Sequence, residues 1–325
     1  MSKGLRVGIV GLGGMGRIHT AGWKRVDAEL HGYDDFPEAR DRGAEHFGVD
    51  RVHDNLESLF DAVDVVDVCT PTDAHAPVAI AAARAGRHVV CEKPLTRTLA
   101  EADDLLATCR ENGVQLHVAQ VVRFFPEYAA AREAVVRGRV GVPGVIRLTR
   151  EGGAPDLSRW YHEPARSGGI VGDLMIHDID YARWIAGDVV RVFAKTMRPV
   201  GPYASPTHAY ALLTHENGAI SHLTASWARE GVGFRTSFEI AGSEGLLNYA
   251  TDNRPALRTA PRELARRVGR MIPEDPWSAE IREFAAAIQG GPRPRVTAED
   301  GRAALAVALA ALESAESGKA VEVAR

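Results

Sequence analysis

Asp173, His177, Asp180 and Trp184 fall on one narrow stripe when residues 171–186 are turned through about 100° per residue. Met175, Ile179, Ala182 and Ala186 lie opposite, while Leu174, Ile176, Tyr181 and Ile185 border the stripe on both sides. Little of this helix is built for water, so its polar row predicts the wall of a cleft rather than a solvated face. The i,i+4 spacing brings Asp173 toward His177. A carboxylate there orients the imidazole and stabilises its protonated form, which is what a general base taking a proton from an alcohol requires. No further cluster of ligand residues completes a metal site, and no metal is expected.

Two other stretches carry chemistry. The run Cys91-Glu92-Lys93-Pro94 closes a predicted strand with a lysine, which a following proline fixes so that it points into a cleft. Earlier, a short apolar run over 7–10 breaks at Gly11, and glycines recur at Gly13 and Gly16 before a helical pattern begins. In a strand–turn–helix unit the first glycine permits the tight turn and the second lets the backbone approach a pyrophosphate. The third lets the helix pack close on the strand. The N–H groups and positive end of that helix then face the phosphates. A second predicted strand ends in Asp34, about 20 residues beyond the turn, where an acid meets the ribose hydroxyls. That acid accepts from a free 2′-hydroxyl and repels a 2′-phosphate, favouring NAD over NADP. Arg40, a cation nearby in sequence, acts against that preference.

The elements that position these residues follow from periodicity. Strands are expected over 7–10, 29–33, 65–69, 88–91 and 115–119. They alternate with helices over 15–26, 37–47, 56–62, 76–85 and 99–112, so residues 1–122 form a doubly wound parallel sheet. Ligands of such sheets sit beyond the carboxyl ends of the strands. Thr70-Pro71-Thr72 through His75 closes the third strand there, although Thr72 and Asp73 also suit the N-cap of the next helix. After Gln120 the texture changes, and 123–325 reads as an α+β domain with an open, mostly antiparallel sheet. Its strands are expected near 145–150, 209–215, 219–227, 234–240 and 245–249, with helices through 136 and over 171–186, 277–288 and 298–317. The links Glu216-Asn217-Gly218 and Gly242-Ser243-Glu244-Gly245 are turn sequences. The other face of an open sheet must be solvated or buried against another copy.

The totals narrow the class. A chain of 325 residues with 45% hydrophobic and 25% charged residues is ordinary globular material, long enough for two domains. A net charge of −4 gives no footprint for nucleic acid or an anionic membrane. Three cysteines, Cys69, Cys91 and Cys109, suit a reducing compartment better than a disulfide scaffold. The first strand leaves no room for a signal peptide and no apolar run is long enough to span a bilayer. A cytoplasmic protein is expected.

Taken in order, the glycine turn with Asp34, the Thr-Pro-Thr turn, Glu92-Lys93-Pro94 and the Gly-Gly…Asp…His…Asp…Trp helix resemble the glucose–fructose oxidoreductase, inositol dehydrogenase and MocA-like family of sugar and polyol dehydrogenases. The likeness covers both domains. It implies that Gly11, Leu12, Gly13, Gly14, Met15, Gly16 and Asp34 bind the cofactor. Thr70, Pro71, Thr72, His75, Glu92, Lys93 and Gln120 are implied to line the same groove. It further implies hydride transfer between a nicotinamide and a carbon bearing a hydroxyl. His177 would take the hydroxyl proton with Asp173 orienting it, and Lys93 would stabilise charge on the reacting oxygen. Asp180, Arg123 and Tyr161 are the remaining candidate substrate contacts, the last in a loop over 152–167 that also holds Trp160 and His162. A homodimer or homotetramer through the C-terminal sheet is implied as well. Val121 and Val122 depart from the family's pattern, which leaves the sugar or polyol unspecified. Two other activities occur on this fold, a redox-neutral glycoside hydrolase using NAD transiently and a non-catalytic sensor. Retention of Lys93, Asp173 and His177 together argues against the sensor.

Overall fold

A computed structural model of the protein describes residues 4–154, 160–197, 207–228, 233–251, 257–260 and 274–324. The first part alternates strictly: β1 (Arg6–Val10), α1 (Gly14–Lys24), β2 (Glu29–Tyr33), α2 (Pro37–Arg42), β3 (Arg51–Val52), α3 (Leu56–Ala62), β4 (Val65–Val68), α4 (His75–Arg84), β5 (His88–Glu92), α5 (Leu99–Glu111) and β6 (Leu116–Ala119). All six strands are parallel, in the order β3-β2-β1-β4-β5-β6. Val7, Ile9, Val65, Val66, Val68, Val89 and Val90 are wholly buried, as strands covered on both faces must be. Local signals set the helix starts. Asn55 caps α3 through the Ser58 N–H, and Thr98 with Glu101 forms a capping box on α5.

The chain continues through α6 (Pro126–Val136), β7 (Pro143–Gly153), α7 (Pro164–Ser167), α8 (Ile176–Ala186), β8 (Val189–Thr196), β9 (His208–His215), β10 (Ile220–Ala228), β11 (Arg235–Gly242), β12 (Leu246–Ala250) and β13 (Leu257–Ala260). It ends with α9 (Pro276–Ile288), α10 (Ala298–Ser317) and β14 (Val321–Glu322). The second sheet runs β13-β12-β11-β7-β10-β9-β8-β14 and is antiparallel except where β7 lies parallel to β10. That mixed pair is where the sheet departs from a simple succession of hairpins. β9 and β10 join through the expected Glu216–Gly218 turn, but β7 intervenes between β10 and β11. Along β9 the burial alternates, so one face packs under helices and the other does not. On that other face Phe193 and Leu212 stand opposite each other in the register, with Tyr210 and Ile220 nearby, each between 41% and 50% exposed.

The chain divides into two compact units, one formed by Met1–Phe124 with Glu274–Arg302 and the other by Phe125–Pro273 with Ala303–Arg325. A single division at 122/123 therefore omits a return: 274–302 comes back to the first unit. The return is well anchored. Ile281 and Phe284 of α9 join Val7, Leu12, Trp23 and Leu30 in one apolar core, each large side chain contributing about 1.5–3 kcal/mol. A side chain at Gly22 would meet Ile281 at 3.1 Å, so the glycine lets α1 and α9 approach.

Candidate functional site

In the first unit the glycine turn has three distinct surroundings. Gly11 holds φ +95°, and a Cβ there would stand 2.7 Å from the Cys69 carbonyl oxygen. A Cβ at Gly16 would collide with the Gly11 carbonyl oxygen, so this glycine is what lets α1 start against β1. At Gly13 and Gly14 a Cβ would meet nothing within 4 Å. Gly13 is also the N-cap of α1, so no side chain caps the first-turn N–H groups. Leu12 differs from a ligand contact by side chain, because it is fully buried in the core. Met15 is half-buried.

Asp34, half-buried at the end of β2, spends one lone pair of each oxygen on this turn and its own. Oδ2 accepts the Leu12 N–H at 2.8 Å and Oδ1 the Phe36 N–H at 3.0 Å. A carboxylate offers about four acceptor sites, so both oxygens keep capacity for ribose hydroxyls. Arg40 donates from Nη1 to the Asp34 carbonyl oxygen at 2.8 Å, which ties it to the backbone of β2's end.

The ends of β4, β5 and β6 supply the rest. Thr70 Oγ1 is buried without a hydrogen-bond partner among the described residues, and so are both polar atoms of the Gln120 side chain. A buried polar atom left unmade costs about 1–3 kcal/mol, so these positions suit a polar ligand such as a dinucleotide. Pro71 is half-buried, and Thr72 is buried in a short 3₁₀ turn, Thr72–Ala74. Neither Thr72 nor Asp73 caps α4; its N-cap position is Ala74, with no side-chain bond.

Two expected cofactor contacts prove to be internal. His75 is 1% exposed, and its ring nitrogens lie 2.8 Å from the Pro94 carbonyl and 3.0 Å from the Thr70 carbonyl. Burial lowers its pKa, and it ties the turn after β4 to the turn after β5. Glu92 is buried, with Oε1 3.1 Å from His19 Nε2 and Oε2 accepting the Lys93 N–H at 2.9 Å. Lys93 itself is the one residue of 89–96 that is not buried. Arg123 is a further correction. Its guanidinium is 2% exposed and donates to the Arg295 carbonyl at 2.9 Å and Asp300 at 3.1 Å, so it secures the returning segment rather than meeting substrate.

In the second unit the polar helix begins irregularly. Val171–Met175 is a π-helical turn, and α8 follows from Ile176. Asp173 thus sits in a wider turn than a uniform α-helix gives, a device common at functional sites. Between Val171 and Ala182, Asp173 and His177 alone are not buried. Asp180 is fully buried and Trp184 half-buried. Tyr161 is half-buried and stacks on Trp160 at 4.2 Å between ring centroids, while Ser167 Oγ donates to the Tyr161 carbonyl at 2.8 Å. The loop residues 155–159 and the strand-face residues 229–232 lie outside the described residues.

Sequence reasoning missed two groups. Arg150 on β7 grips Asp178 on α8 with two bonds, 2.7 and 3.2 Å, and the side chains are 4% and 1% exposed. This pair fixes the helix that carries His177. His19 and Asp67 form a second buried set. Asp67, a charge inside the valine run of β4, was the available signal. Among the described residues His19, Asp67 and Cys69 are also the one trio whose ligand-type atoms approach within 4.8 Å of each other.

Comparison with known proteins agrees with both halves. A model described as "Oxidoreductase family, NAD-binding Rossmann fold" matches residues 5–120, and the GFO/IDH/MocA C-terminal domain matches 128–248. Myo-inositol 2-dehydrogenase of Thermotoga maritima is 32% identical over 334 residues, covering 98% of this chain and 98% of that protein. D-apiose dehydrogenase of Paraburkholderia graminis is 30% identical over 338 residues, covering 99% and 90%. The solved structure of levoglucosan dehydrogenase in complex with NADH and L-sorbose has a TM-score of 0.86 at 25% identity, covering 99% of this chain and 100% of that one. The chain therefore belongs to the GFO/IDH/MocA family and is an oxidoreductase with an NAD-binding Rossmann fold.

Proposed function

We propose that the protein oxidises a secondary alcohol of a cyclic polyol, a sugar or a sugar derivative with NAD, the class named for its relatives. One observation carries the reading. Lys93, Asp173 and His177 are each partly exposed polar residues among buried neighbours, at a strand's carboxyl end or a helix's first turns. Bound NAD supplies the hydride acceptor. His177 takes the hydroxyl proton on a ring nitrogen, and Asp173 orients that ring and stabilises the cation formed. The Lys93 ammonium donates to the reacting oxygen and offsets the negative charge that develops as the proton leaves. Asp34 binds the ribose diol and disfavours a 2′-phosphate. Tyr161 and Asp180 are proposed to shape the substrate side, Asp180 from behind because it is buried.

A second copy of the chain is proposed to cover the sheet face bearing Phe193, Tyr210, Leu212 and Ile220, whose exposure is otherwise costly. Light scattering of the purified protein reads this directly.

The decisive experiment follows NADH absorbance across inositols, aldoses and anhydrosugars, with NAD and NADP in parallel. Turnover with any of them supports the dehydrogenase. Tight NAD binding with no net NADH from any of them overturns it. Cleavage of aryl glycosides would then identify the redox-neutral hydrolase, and its absence the sensor.

A further inference from the structure

His19 lies three residues past Gly16, on the buried side of α1, and is wholly enclosed. Its Nδ1 is 2.9 Å from Asp67 Oδ2 on β4, and its Nε2 is 3.1 Å from Glu92 Oε1 on β5. Trp23, one turn further along α1, donates Nε1–H to the same Asp67 oxygen at 2.7 Å. Beyond Glu92 the chain of bonds continues to the Lys93 N–H.

Ionised carboxylates only accept hydrogen bonds, so a ring facing one on each side must donate from both nitrogens, as an imidazolium. Burial drives the His19 pKa down, but Asp67, with a further contribution from Cys69, outweighs it and raises it well above the usual histidine value. Burial pushes Glu92 the other way, and the His19 bond and charge, with Lys93 and His75, bring it below the usual range. The remaining neighbour, the Cys69 thiol, donates to Asp67 at 3.5 Å and is pushed up to about 12 by burial, so it stays neutral. With protons on both ring nitrogens and on the thiol, Asp67 is the one member of this trio in a metal-ligating form, and its oxygens already accept from His19, Trp23 and Cys69.

We propose that His19 is a positioning residue for Lys93: it clamps Glu92 from α1, and Glu92 in turn fixes the Lys93 backbone at the end of β5. This rests on the reading of Lys93 as donor to the reacting oxygen. The same imidazolium joins the helix that starts the cofactor turn to the strand that ends in the lysine. Helix and two strands thus share one polar network, buried up to Lys93, in which a missing member is felt by all. A displacement of about 1 Å at a catalytic group costs on the order of 100-fold in rate.

The test uses the full-length protein with His19→Gln and Asp67→Asn. A glutamine amide donates to one acid but turns its carbonyl oxygen toward the other, which breaks one link. In H19Q the Lys93 amide should exchange with deuterium at least about 10-fold faster. The kcat should fall about 10- to 100-fold, with KM and NAD affinity within about 3-fold. In D67N the ring loses the charge that keeps it doubly protonated, so the clamp survives only at lower pH. The ratio of D67N to wild-type kcat should then fall between about pH 6 and 9. A structural role alone does not move that ratio with pH. Unchanged kcat in H19Q overturns the proposal, and so does loss of NAD binding in step with kcat. If H19Q does not fold, a pH-independent D67N ratio overturns it. If wild type turns over no sugar or polyol, the functional reading fails, and Lys93 exchange still decides the clamp: faster exchange in either variant upholds it and unchanged exchange in both removes it.

Discussion

The Asp34 carboxylate accepts the Leu12 N–H at 2.8 Å, so the acid proposed to bind the ribose also secures the glycine turn. Asp34→Ala should therefore weaken NAD about 10- to 100-fold while weakening NADP less, because repulsion of the 2′-phosphate disappears with the same change. Calorimetric titration with both nucleotides checks this. Equal losses would mean that Asp34 serves the turn alone.

Gly13 and Gly16 separate binding from folding. A methyl at Gly13 enters open space at φ −86°, whereas one at Gly16 meets the Gly11 carbonyl. G13A should melt like wild type yet bind NAD at least about 10-fold more weakly. G16A should lose stability first, by about 1–3 kcal/mol of overpacking. Melting curves with and without NAD distinguish the two.

Lys93→Met and His177→Ala should each lower kcat by about 100-fold or more while NAD affinity stays within about 3-fold. Single-turnover kinetics on whichever polyol is accepted provides the measurement. Undiminished turnover in either removes the assigned role.

Breaking the Arg150–Asp178 pair should be costly and pH-dependent. Arg150→Met leaves a buried carboxylate alone, a loss of about 3–5 kcal/mol. Burial already raises the Asp178 pKa with its partner present, and removal of Arg150 raises it further. A carboxyl whose folded pKa exceeds its unfolded value stabilises below the unfolded pKa and loses that contribution as pH rises. Urea midpoints of R150M should thus fall further behind wild type as pH rises. Replacing both residues with apolar ones should recover much of the loss.

His117 gives an acid-side prediction. It is 4% exposed, stacked on Phe284 at 5.0 Å, and burial drives its pKa down to about 4. A depressed histidine leaves the unfolded chain binding more protons, so stability declines as pH falls from about 6.5 to about 4 and levels off below. His117→Phe should flatten that slope in urea titrations.

Much of this was legible because period and punctuation agreed. The β–α alternation through β6, the Gly-rich turn and the helix over 298–317 follow from short-range pattern. What escaped depends on distant partners. β8 reads Val-Val-Arg-Val-Phe-Ala-Lys-Thr, a half-buried alternation interrupted by two charged residues and paired with β9 and β14 further along the chain. The place of β7 between β10 and β11 is set by pairing with strands 75 or more residues further along the chain, which no local signal encodes. Among the candidate residues, Lys93, Asp173 and His177 stand out by type and spacing. Arg123, His75 and Glu92 look equally reactive in sequence, but only burial shows that each is spent on internal bonds.

The return of α9 to α1 has a consequence for synthesis. The core shared by Val7, Trp23, Ile281 and Phe284 lacks one wall until residue 288 has been made. A ribosome releasing the first 124 residues therefore exposes a nucleotide-binding sheet with Trp23 and Leu30 still partly wetted. Its final consolidation waits for the other unit's strands to be translated, so excising residues 1–124 as a free-standing module removes the part that closes it.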